Sequence, residues 1–147
     1  MTYRIEFIAG EHHQRRGVCF LISGDKKVAA KPIFDNLKGN IDSLLRTRFD
    51  AWIDNQLGKP SRYHGWNKSE FHGRYTKCFV FKAKSHRFYG FLCNPKPSNN
   101  SYQVCILVRY AFKKEHKTDE ADLKQVETLR TTVAVWRAIT DYFGRNL

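Results

Sequence analysis

The segment that most constrains the fold is YQVCILVRYAFKKEHKTDEADLKQVETLR, Tyr102 to Arg130. Gln103 to Ala111 is β-branched and apolar with one interruption, Arg109, and reads as a buried strand. Phe112 closes it, and Lys113, Lys114, His116 and Lys117 crowd the corner that follows. Asp119, or alternatively Thr118, then stands as the N-cap of an amphipathic helix. The order strand, corner, helix puts several cations and a titratable imidazole at the end of a rigid element. Fixed charge beside a proton carrier suits the binding, and the cleavage, of a phosphodiester.

Periodicity extends the reading along the chain. Tyr3 to Ala9 alternates as a strand, and Val18 to Ser23 is a second apolar run closed by Gly24-Asp25. Residues 26–39 carry no clear pattern. Ile41, Leu44, Leu45, Phe49, Trp52, Ile53 and Leu57 recur on one helical face, with Asn40 as N-cap and Gly58 and Pro60 beyond. A second helix is expected over 120–143, with Leu123, Val126, Leu129, Val133, Trp136, Ile139 and Phe143 as its buried stripe. Between the helices, 75–83 turns at Lys84-Ser85 into 86–93, and a longer loop leads to 102–111. The expectation is a single α+β domain, 1–147. Its antiparallel sheet of about four strands would be packed on one face by two or three helices, leaving the other face free.

Charge narrows the partner. Lys and Arg number 26 against 14 Asp and Glu, a net +12 spread along most of the chain, which favours nucleic acid or ribosome over neutral ligands. No apolar run approaches the roughly 20 residues of a membrane helix, and the N-terminus lacks the apolar core of a secretory signal, so a cytoplasmic location is expected. Cys19, Cys78, Cys93 and Cys105 form no CxxC pair and read as buried thiols. There is no Gly-rich phosphate loop, no serine elbow and no HExxH, so nucleotide hydrolysis, ester hydrolysis and zinc catalysis have no support. No cofactor or metal is expected.

Strand alternation assigns the faces. Arg87, Tyr89, Phe91 and Cys93 point one way; Cys78, Val80 and Lys82 share one side of the preceding strand, so that Lys82 approaches Arg87 across the turn. Two cations beside Tyr89 would cradle a phosphate and a stacked base, with Lys77 near. Just upstream, Trp66 and His72 belong to an aromatic and basic cluster offering further contacts.

FVFKAKSHRFYGFL followed by VRYAFKKEHKTDEADL resembles the RelE/ParE toxin superfamily, most closely its HigB-like, phage-derived branch. The resemblance covers the C-terminal half. It implies a toxin of a type II toxin-antitoxin system, a metal-independent endoribonuclease that cuts mRNA on the ribosome and inhibits translation. By the same resemblance Arg87 contacts the scissile phosphate, Lys113 and Lys114 stabilise charge, and His116 is an acid or base. The implied partner is a helix-turn-helix, HigA-like antitoxin. Cys78 and Val80 stand where RelE places lysines, and 118–122 lacks the tyrosine RelE carries there. A ParE-like topoisomerase inhibitor and a non-enzymatic prophage regulator are the other readings.

Overall fold

In a computed structural model, residues 2–25, 27–54, 60–115 and 117–145 are described. The chain forms a six-stranded sheet of β1 (Tyr3–Ala9), β2 (Arg16–Ser23), β3 (Tyr63–Gly65), β4 (Cys78–Ala83), β5 (His86–Cys93) and β6 (Gln103–Phe112), with four α-helices. The strand order is β1-β2-β6-β5-β4-β3. Four of the five pairings are antiparallel, but β2 and β6 run parallel, so the sheet is mixed and larger than the four-stranded antiparallel one expected.

The parallel pair has a physical origin. A parallel neighbour requires a crossover, and the chain between β2 and β3 supplies one as α1 (Ala30–Asp35) and α2 (Ile41–Ile53). Both lie on one face, where Phe34, Leu45, Phe49 and Trp52 pack on Phe20, Phe79, Phe81 and Phe88. The opposite face is covered too: α3 (Glu120–Arg130) and α4 (Val133–Arg145) bury Leu123, Val126, Val135, Ile139 and Phe143 against Cys19, Val80, Phe91 and Ile106. The expected free face is therefore occupied over most of its area, because β2, β4, β5 and β6 carry apolar residues on both sides of the pleat.

The stripe over 120–143 breaks at its centre. Thr131 caps α3, and the hydroxyls of Thr131 and Thr132 donate to the carbonyls of Glu127 and Thr128, at 2.9 and 2.7 Å, in competition with the backbone ladder. The break rotates the helical phase. Val135, Ile139 and Phe143 are buried in α4, whereas Val133 is 66 % and Trp136 38 % exposed, contrary to the stripe expected. Trp52, by contrast, is in the core. Asn40 precedes α2 without a side-chain cap bond, while Asp119 accepts from Ala121 N at 3.0 Å and caps α3. Leu57 and Gly58 lie outside the described residues.

The meander β4-β5-β6 forms as expected, with β4 shorter at its start. One irregularity governs the site. Tyr89 faces Arg109 and Gly90 faces Leu107, so Val108 is an extra residue in β6. Beyond this bulge, Arg109 and Ala111 share the face of Tyr89 and Arg87. All four cysteines are buried and free.

Candidate functional site

The site lies where the sheet ends, at the β4–β5 turn, on the face otherwise covered by α3. Lys84, with φ 53°, completes a two-residue turn, and Lys82 stands directly opposite Arg87. Opposed residues of an antiparallel pair carry their Cβ atoms about 5 Å apart, so two like charges are held together. Arg87 is only 5 % exposed. Its Nη1 donates to the carbonyls of Lys84 and His86, which fixes the guanidinium plane. No described residue engages Nε or Nη2, and neither is sealed from solvent. Lys82 is half-buried, and burial followed by the charge of Arg87 lowers its pKa. Among the described residues, no carboxylate forms an ion pair with either cation.

His64 on β3 joins this face. It opposes Val80, two residues from Lys82 along β4, a diagonal separation of about 7 Å. Its ring packs edge-on to Trp66 at 4.7 Å. Burial, then the charge of Lys82, lowers its pKa below the ordinary 6.5, with Arg87 acting in the same direction. The imidazole is thus neutral at neutral pH. Its Nδ1 lies 3.1 Å from the Gly65 carbonyl, which can only accept, so Nδ1 carries the proton and Nε2 keeps its lone pair. Sequence periodicity passed over His64, since β3 has three residues, too few to show an alternation.

The remaining expected residues are distributed unevenly. Tyr89 is not an open stacking platform: Trp66 lies over it at 6.3 Å and 23°, both are buried, and burial pushes the phenol up to about 12. Lys77 sits exposed at the far end of β4, where its carbonyl accepts from Leu92 N at 2.8 Å. Lys77 is thus remote from the corner. His72 is exposed in a turn whose residues Phe71, His72 and Gly73 all have positive φ. Lys113 is half-buried and spends its charge on Asp122, with Nζ 2.8 Å from Oδ2 in an ion pair that is not an aligned hydrogen bond. Lys114 is exposed and, with Lys113, Phe71 and Phe112, lines an open cavity of about 630 Å³. His116 lies outside the described residues.

The chemistry of this arrangement is compact. Two converging cations bind an oxyanion, and a neutral imidazole beside them accepts a proton. Among the described residues no cluster of three or more His, Cys, Asp or Glu stands ready for a metal, and no helix is long and apolar enough to cross a membrane. No protein-family profile, no curated protein and no solved structure matches this chain.

Proposed function

We propose that this chain binds RNA at the Lys82/Arg87 corner and cleaves it in the manner of the RelE/HigB toxins, inhibiting translation. The observation that carries the reading is the cation pair itself. Like charges directly opposed across two strands destabilise a sheet, and here no described carboxylate relieves them. An anion seated between them would. The C-terminal resemblance supplies the substrate as mRNA on the ribosome and the partner as a HigA-like antitoxin. The finer, RelE-like description of the fold rests on the β4-β5-β6 meander with α2 behind it. The expected N-terminal strand β1 does not flank the meander, because β2 lies between them, parallel to β6; β3 and the second helical layer are additions to that description.

In the proposed reaction, His64 Nε2 takes the proton of a ribose 2′-hydroxyl and O2′ attacks the adjacent phosphorus. The bond from phosphorus to O5′ breaks, water protonates the leaving oxygen, and the imidazolium returns its proton to solvent. The products are a 2′,3′-cyclic phosphate and a 5′-hydroxyl. Arg87 and Lys82 meet the charge that grows on the non-bridging oxygens, and removing one such donor costs about 3 kcal/mol of barrier. Expression of the chain alone tests the reading. Growth arrest with new 5′-hydroxyl ends in translated messages supports it. Arrest with intact RNA and blocked DNA supercoiling would transfer the protein to the ParE-like class, and no arrest would leave the regulatory reading.

A further inference from the structure

Among the described residues, Lys31 meets Glu6 and Asp35, Arg130 meets Glu127, and Arg109 and Lys113 meet Asp122, Lys113 donating its backbone N–H to Ser85 of the β4–β5 turn. On β4, the other strand of that turn, the pattern stops. Lys82 is bracketed through its backbone by two arginines: Arg48 of α2 donates Nε to the Lys82 carbonyl at 2.7 Å, and the Lys82 N–H donates to the Arg62 carbonyl at 2.8 Å. Neither arginine has a carboxylate in ion-pair range among the described residues. They also feel each other: after burial, the charge of Arg62 is what lowers the pKa of Arg48. The bond from Nε orients the Arg48 guanidinium and leaves its two terminal amino groups unused by described residues. Arg62 is exposed beside it.

We propose that Arg48 and Arg62 form a second phosphate-binding station, which holds the backbone of single-stranded RNA as it passes from the Lys82/Arg87 pair around the end of the sheet. The choice of RNA rests on the function proposed above; the station itself rests on the uncompensated arginines. It lies on the α2 side, whereas His64 and Arg87 lie on the α3 side, so the strand would wrap the turn. Guanidinium groups bind phosphate through paired N–H donors and carry no base preference. The station therefore contributes affinity and register, not sequence choice.

The test is the salt dependence of binding to a fluorescent single-stranded RNA of about 12 nucleotides, 2′-O-methylated so that it cannot be cut. For single strands the slope of log K against log salt is about −0.7 per phosphate neutralised. The double variant Arg48→Ala/Arg62→Ala should show a slope shallower by about 1.4 between roughly 50 and 200 mM salt. Its single-turnover cleavage rate on dilute unmodified RNA should fall in proportion to its affinity. The charge-retaining Arg48→Lys/Arg62→Lys keeps most of the slope, which separates lost contact from lost fold. A slope equal to wild type in a folded Ala variant overturns the station while leaving the Arg87 reading intact. Binding with the expected loss of slope but no cleavage by wild type supports the station and overturns the nuclease. No binding of RNA by wild type overturns both.

Discussion

Asp122 of α3 holds Arg109 of β6 at 2.6 Å, with its carboxylate buried beneath the helix that covers the sheet. The bulge at Val108 makes the contact possible, because without the extra residue Arg109 would point to the α2 side. The same carboxylate takes Lys113, so one buried anion neutralises two cations and pins α3 to the corner. On this one face of the sheet, charge is thus compensated at Arg109 and Lys113 and left without a described carboxylate at Lys82 and Arg87. Asp122→Asn would leave Arg109 without a counter-charge and Lys113 with only Asp119, at 3.9 Å. Arg109 is 38 % exposed on its side chain, which places the cost below the fully buried limit, at about 2–3 kcal/mol. Thermal unfolding should show a fall of about 6 °C. An unchanged midpoint would mean the triad contributes nothing net.

The role proposed for His64 carries a pH signature. Its folded pKa lies below 6.5, so the base form is populated through neutral pH, and the cleavage rate should rise with pH only below the ordinary histidine range, then level off. His64→Gln should lower the rate about 100-fold and remove that acidic limb. Rates measured from pH 5 upward decide the point: a variant that keeps both rate and limb has its base elsewhere.

The same shift bears on stability with a definite sign. A histidine with a depressed folded pKa binds fewer protons folded than unfolded, so stability is full above about 6.5 and falls as pH drops below it. His86, also lowered by burial and then by Arg87, acts in the same direction. Denaturant midpoints should therefore decrease from pH 7 to pH 5. Replacing both histidines with Gln should flatten that decrease.

Gly90 faces the bulge. A Cβ there would collide with the Ile106 carbonyl oxygen and lie 3.0 Å from Leu107 Cα, all backbone that cannot swing aside. Gly90→Ala should destabilise by about 3 kcal/mol. Since Arg109 and Tyr89 flank the bulge, cleavage should fall along with stability. A variant as stable as wild type would show that the strands separate at no cost.

Much of this was legible in the sequence for reasons that also explain the rest. The β4-β5 hairpin and the faces of Arg87 and Lys82 follow from strict alternation through a two-residue turn, which fixes their register, whereas the β6 bulge at Val108 left no such signal. The α2 stripe is likewise visible because its burial is one-sided. The second helical layer was hidden because strands apolar on both sides also alternate in size and type, and only three-dimensional packing shows that both sides are covered. The helix break at Thr131 rests on the hydroxyl bonds of Thr131 and Thr132, and stripe periodicity hardly changes across it. His64 belongs to a strand too short to show a period, and Lys113 reads as free charge until Asp122, nine positions on, folds over it.

If an antitoxin neutralises the chain by direct charge contact, acidic residues should face Arg87 and Lys82, and affinity should weaken steeply with salt. Lys82→Glu would then abolish binding at low salt. Salt-insensitive binding to that variant would indicate a packed apolar contact elsewhere.

The most direct measurement is the single-turnover cleavage rate of Arg87→Ala on ribosome-bound mRNA, at equal soluble protein and with unchanged circular dichroism. The two cations are the feature on which the proposed substrate and mechanism depend. Loss of the guanidinium should lower the rate about 100-fold or more, and relieve growth arrest in the same proportion. Cleavage at the wild-type rate by the folded variant would contradict the central role given to the Lys82/Arg87 corner.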